Sequence, residues 1–204
     1  MTGRILVLLC LSIALGAVNA PVLSADDDYQ SLWEALAGGG HAVLMRHATA
    51  PGDDNISPDD LSDCSQQRQL SEQGWDEARR MGALFRRNGL EDVPVYTSEY
   101  CRCRQTAEAL ALGEVTLLPA LNRFFYEREL ADERLAAVTS KLREHADGPS
   151  IILVSHSLTI YNLTGQRIDS GDMLIVHQPS YGKLEVVGRI SAGIGSRSYG
   201  PSAP

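Results

Sequence analysis

Two kinds of apolar pattern alternate along this chain. Ala42-Val43-Leu44-Met45 and Ile151-Ile152-Leu153-Val154 are unbroken apolar runs, as expected of central strands buried on both faces. Around them, apolar positions recur at helical spacing. Trp75, Ala78, Met81, Gly82 and Phe85 make one face of a helix whose Arg79, Arg80, Arg86 and Arg87 lie largely elsewhere. Ser71 caps that helix, Leu70 and Trp75 match a hydrophobic staple across the cap, and Asn88-Gly89 stops it. A short helix over 26–37, with Leu32, Trp33 and Leu36 apolar, runs into Gly38-Gly39-Gly40 and a first strand at 41–46. Further strands are expected at 93–97, 115–118, 172–177 and 183–190. Helices are expected near 100–111, ended by Gly113, and over 130–145, with Leu135, Val138 and Leu142 inward. Residues 48–69 are crowded with Pro, Gly, Asp and Asn and read as a long loop; 119–128 are also irregular. A loop of the first one's length is usually functional in a compact domain.

Strands alternating with helices predict an α/β fold, a three-layer sandwich with a mostly parallel central sheet and helices on both faces. A length of 204 residues allows one domain of ordinary size, expected over 26–190, with a Ser-, Gly- and Pro-rich tail at 191–204 expected to be disordered. Residues 1–25 differ. Arg4, an apolar run from Ile5 to Leu15 and then small residues have the order of a secretory signal peptide. The run is short for a spanning helix, which needs ~20 residues, and the acidic Asp26-Asp27-Asp28 follows. Cleavage is expected after Ala20 or Ala25, with Ala25 favoured because Pro21 would sit badly just after a cut. The mature protein is then exported, most simply to the periplasm, with no membrane partner.

The net charge of -8, made more negative by loss of Arg4, argues against nucleic acid or anionic membrane partners. A phosphate ligand would need a local positive pocket working against this field. Three cysteines lie beyond the leader: Cys64, Cys101 and Cys103. Export favours a disulfide. Cys101 and Cys103 are too close to pair, so Cys64 is expected to bond one of them. A metal site is disfavoured, since Cys-x-Cys without nearby histidines is poor zinc spacing.

In such sheets ligands bind beyond the strands' carboxyl ends. Arg46-His47 follow the first strand, Thr97-Ser98 end the second just before Cys101-Arg102-Cys103-Arg104, and Ser155-His156 follow the run at 151–154. Three segments thus arrive at one rim. The planar fork of arginine suits phosphate, with Arg46 and Arg102 the candidates. Arg104, two residues further on a helix, is expected to point away as a solvated arginine. A neutral imidazole can attack phosphorus, and nearby arginines disfavour its charged form, which keeps His47 nucleophilic. His156 would hydrogen-bond the phosphoryl oxygens, its protonated form included, and a general acid must protonate the leaving alkoxide. His177 could line a pocket, with a structural role favoured. No metal or other cofactor is expected, because two arginines would repel a cation and no carboxylate cluster shares the rim.

Taken together these segments resemble the histidine phosphatase superfamily, the phosphoglycerate-mutase-like fold. Its Arg-His-Gly stands here as Arg46-His47-Ala48, and its Ser-x-x-x-Arg-Ala-x-x-Thr-Ala as Ser98 to Ala107, with Arg102 in the arginine's place and Cys103 in the alanine's. Arg68-Gln69-Leu70-Ser71-Glu72-Gln73-Gly74 is similar to the family's approach to its first long helix, and Ile151 to His156 to its late strand and histidine. The resemblance implies a nucleophilic His47, a phosphate pocket completed by Arg46, Arg102 and His156, and a small phosphate ester as substrate. Larger members carry a glutamate acid in a Leu-x-Glu context, where this chain has Leu121-Asn122-Arg123. Glu127 is the nearest substitute for the acid, with Glu129 and Asp132 behind it. The resemblance also points to a Cys64–Cys101 disulfide, because Cys103 takes a small packed position. The chain is most similar to the short exported members, some of which act on phosphorylated envelope sugars. A rival expectation is a non-catalytic domain that binds or senses a phosphate ligand.

Overall fold

The computed structural model describes residues 25–53, 61–123, 128–177 and 184–193. The expected signal peptide except Ala25, most of the expected tail, and Glu127 lie outside the described residues. In chain order the elements are α1 (Ala25–Gly38), β1 (His41–Arg46), α2 (Glu72–Arg87), β2 (Val95–Thr97), α3 (Cys101–Leu110), β3 (Val115–Leu117), α4 (Ala131–Glu144), β4 (Ile151–Ser155), α5 (Ser157–Thr164), β5 (Met173–His177) and β6 (Glu185–Ile190). Single turns of 3₁₀ helix occur at Cys64–Gln66, Pro119–Leu121 and Arg128–Leu130.

The strands form one six-stranded sheet in the order β3-β2-β4-β1-β5-β6. The pairs β1–β4, β2–β4 and β2–β3 are parallel, while β5 runs antiparallel to β1 and β6 antiparallel to β5. Strand side chains alternate between faces, and both faces are covered. Val43, Met45, Ile152 and Val154 pack with Trp33 of α1, Phe85 of α2 and Ala107 of α3. Ala42, Leu44, Ile151 and Leu153 pack with Val138 and Leu142 of α4 and Ile160 of α5. This is the expected sandwich, and it explains why β1 and β4 have no polar position between their ends.

Local chemistry sets the helix ends. Ser71 Oγ accepts from the Gly74 amide at 3.1 Å, capping α2. α2 then packs so tightly on α3 that a Cβ on Gly82 would stand 2.0 Å from Leu110 O. Two expectations need correction. α3 is ended by Ala111 in the left-handed region (φ 51°), before Gly113 is reached. Arg86 makes this early stop possible by donating to Leu110 O and Ala111 O at 2.9 and 3.0 Å. Helix α5 was not anticipated. Its eight residues bury only Thr159 and Ile160, so no apolar stripe announces it.

Candidate active site

β1 and β4 run side by side with Arg46 opposite Ser155, and β2 flanks β4 with Thr97 opposite Val154. Arg46-His47, Ser155-His156 and Thr97-Ser98 therefore leave the sheet together at one rim. The His47 amide donates to Ser155 O, and the Ser98 amide to Val154 O, both at 3.0 Å. Thr106 locks the Arg102 helix to the His47 loop: its hydroxyl donates to Arg102 O at 2.7 Å and accepts from the Ala48 amide at 3.0 Å. From the other side, Glu77 accepts from the Thr49 amide and hydroxyl, each at 3.0 Å.

A cleft of about 170 Å³ opens at this rim, lined by Arg46, His47, Arg68, Arg102, Arg123, His156, Ser157 and Leu158. Thus Arg46, His47, Arg102 and His156 come together as expected. Three polar neighbours, Arg68, Arg123 and Ser157, were not anticipated there. Arg68 arrives from the end of the long loop and is held by its donation to Ala50 O and Gly52 O, each at 3.1 Å. Arg123 follows the turn at Pro119–Leu121; its Nε donates to the Tyr100 hydroxyl at 3.4 Å and its guanidinium lies 5.3 Å from that ring. A signal existed for both, since each is an arginine at the border of a loop and an ordered element.

His47 is 2 % exposed. Its Nδ1 lies 2.9 Å from Ala48 O, and a carbonyl can only accept, so Nδ1 carries the proton and Nε2 the lone pair. Burial first, and then the positive charge of Arg102, push its pKa down to about 3; the Ala48 bond opposes this, while Arg46 and Arg68 add to it. His47 is therefore neutral at physiological pH, with an unprotonated Nε2.

His156 is wholly buried against the Tyr100 ring, with centroids 4.9 Å apart, and 5.6 Å from the His47 ring. Its proton is assigned by a chain of hydrogen bonds that starts at Glu99. Asn122 Nδ2 donates to Glu99 Oε2 at 2.7 Å, so Asn122 Oδ1 faces the other way and accepts from Ser98 Oγ at 2.8 Å. With its only proton used, Ser98 Oγ can only accept from His156 Nε2, 3.0 Å away. His156 Nδ1 then accepts from Arg102 Nη2 at 3.0 Å. Burial, then Arg102 and His47, hold its pKa well below the ordinary value. The protonated His156 considered from sequence is corrected: both ring nitrogens are committed, and the ring is neutral. What it does directly is aim Arg102, which is 1 % exposed and stacks 4.7 Å from the Tyr100 ring.

Other candidates sit elsewhere. Arg104 points away from the cleft as expected, but it is not a solvated arginine. It is half-buried against the Cys64–Cys101 disulfide, 2.9 and 3.1 Å from the two sulfurs. Cys103 is buried, with its sulfur 3.6 Å from His156 Nε2. Because β5 runs antiparallel, His177 pairs with His41 at the far end of the sheet and cannot line the cleft. Glu129, in the 3₁₀ turn before α4, and Asp132, in the first turn of α4, do not line it either. Among the described residues, no three or more His, Cys, Asp or Glu side chains gather as a metal site.

The sequence profile of the histidine phosphatase superfamily (branch 1) matches residues 42–130, from β1 through the Arg102 helix to the Arg123 segment. No curated protein matches the sequence significantly. Among solved structures, the chain is similar to the protein histidine phosphatase SixA complexed with tungstate, at 22 % identity and a TM-score of 0.55, over 76 % of this chain and 98 % of that one. It is similar to the α-ribazole phosphatase from Shigella flexneri at 21 % identity and 0.51, over 72 % and 96 %. A phosphoserine phosphatase variant from Entamoeba histolytica, in complex with phosphoserine, matches at 15 % identity and 0.53, over 74 % and 97 %. At these identities the structures share the fold. The profile match over residues 42–130 and the shared fold make this chain similar to the histidine phosphatase superfamily.

Proposed function

We propose that the protein is a phosphatase that transfers a phosphoryl group from a small substrate to His47 and then hydrolyses the phosphohistidine. One observation carries this reading. His47 presents an unprotonated Nε2, its other nitrogen fixed on Ala48 O, in a cleft where four guanidiniums gather. Arginine cannot act as a base near neutral pH but binds phosphoryl oxygens bidentately. Arg46 and Arg102 would hold the phosphoryl group, and His47 would attack phosphorus in line with the leaving oxygen. Four guanidiniums would repel a metal ion, so the reading asks for none: they supply the charge stabilisation. The solved relatives named as phosphatases support the activity at this level, and their substrates remain theirs.

Export to the periplasm is part of the same reading. It is supported by the leader-like pattern of residues 1–25 and by the Cys64–Cys101 disulfide, which suits an oxidising compartment. A phosphorylated envelope sugar is then a sensible first substrate. The test uses mature protein and a labelled phosphate ester, with acid-free denaturation to trap the intermediate. Wild type should carry label and turn over p-nitrophenyl phosphate with or without EDTA. His47→Ala should lose the label and several orders of magnitude in rate. Label on the alanine variant would exclude His47, and phosphate binding with no turnover would leave a binding domain instead.

A further inference from the structure

The cleft holds more anion-binding chemistry than one phosphoryl group uses. Arg46 adjoins His47 in sequence and Arg102 is aimed by His156, and two guanidinium forks already offer four donors to three phosphoryl oxygens. Arg68 and Arg123 reach the same cleft from two other segments, and both are anchored in place, Arg68 by two carbonyls and Arg123 by the Tyr100 ring. Arg134 also donates to Arg123 O at 3.3 Å, tying that backbone to α4. Ser157 and Leu158, the first residues of α5, line the wall beside them.

Among the described residues the lining holds no carboxylic acid, and this sets what leaving group those residues suit. An alkoxide must be protonated as it departs, and a guanidinium, with a pKa above about 12, does not give up a proton near neutrality. The Nε2 proton of His156 is committed to Ser98. A phosphate leaving group, with a second pKa of about 6, departs as an anion and needs no proton. What it needs is positive charge at the departing oxygen, and Arg123 and Arg68 are placed in the cleft to give it.

We propose that this site also cleaves terminal phosphoanhydrides, with organic diphosphates as the substrate class and Arg123 reading the second phosphate. The proposal rests on the phosphohistidine reading above. His47 Nε2 forms a bond to the terminal phosphorus as the bond from phosphorus to the bridging oxygen breaks. The electron pair stays on that oxygen, which leaves as part of the organic phosphate. Water then attacks the phosphohistidine, the nitrogen–phosphorus bond returns its pair to Nε2, and inorganic phosphate leaves with the water's oxygen while the surplus proton goes to solvent.

The test measures kcat/KM of mature protein on ADP, glucose 6-phosphate and p-nitrophenyl phosphate, for wild type, Arg123→Ala and Arg123→Lys. Wild type should turn over ADP as well as glucose 6-phosphate. Arg123→Ala should lower ADP turnover at least about tenfold more than that of p-nitrophenyl phosphate, the loss expected for one charge-assisted contact, and Arg123→Lys should recover part of the ratio. Turnover of p-nitrophenyl phosphate without turnover of ADP would overturn the proposal and leave the phosphatase reading standing. Equal losses on both substrates in Arg123→Ala would overturn it too. Silence on all three substrates would remove the reading beneath it.

Discussion

At His156 the ring nitrogens are assigned by neighbours whose own donors and acceptors leave one solution. Glu99 fixes the Asn122 amide, Asn122 takes the Ser98 proton, and Ser98 takes the proton of Nε2. Arg102 can then donate to Nδ1 and stand ready for an anion. Ser98→Ala removes the acceptor for Nε2–H and leaves Asn122 Oδ1 short of a donor. Losing such a bond costs about 1–3 kcal/mol, so kcat/KM on p-nitrophenyl phosphate should fall roughly tenfold. The nitrogen-15 shifts of His156 should show a pure Nε2–H tautomer in wild type and a mixture in the variant, with Ser98→Thr restoring both readouts. An unchanged tautomer in Ser98→Ala would show that Ser98 does not set it.

Between elements, the contact of α2 with α3 decides how the His47 loop meets the Arg102 helix. Gly82 lets the helix backbones touch, and Gly74 does the same where α2 meets Thr49 O in the His47 loop, 2.2 Å from where a Cβ would stand. Alanine is the better helix former by about 1 kcal/mol, so a surface glycine-to-alanine change would stabilise. Here the added Cβ of Gly82→Ala would meet backbone, which cannot rotate away. Overpacking of this kind costs about 1–3 kcal/mol, and the net effect should be destabilising. Urea unfolding of Gly82→Ala should show a lower midpoint at an unchanged slope; a higher midpoint would mean that α2 and α3 separate without loss. Apolar periodicity revealed α2 in full but said nothing of this contact, since glycine belongs to no stripe and its value lies in what the partner backbone does.

Over the whole molecule, the disulfide and the buried histidines act on stability. Cys64–Cys101 closes a separation of 37 residues and ties the long loop that carries Arg68 to the first residue of α3. In the chain-entropy picture a loop of that length contributes about 4 kcal/mol. His47 works in the opposite sense as pH falls. Its pKa is about 3 folded against 6.5 in the unfolded chain, so between those values the unfolded state binds a proton that the native state refuses. The neutral ring's contribution is fully present above 6.5 and is lost progressively as pH drops towards 3. Thermal midpoints taken across that window should fall less steeply for His47→Asn than for wild type, and superimposable curves would place His47's folded pKa near its unfolded one. Sequence alone determined the apolar runs of β1 and β4, the α/β order and the residues that follow each strand, because burial on both faces and chain order are local or one-dimensional properties. It therefore brought Arg46, His47, Arg102 and His156 to one rim. Only the tertiary structure decided that β5 turns back and carries His177 to the far end, that Arg104 rests on a disulfide, and that Arg68 and Arg123 enter the cleft. It alone keeps His156 neutral, because that follows from the burial and the neighbouring charges that segments distant in sequence supply.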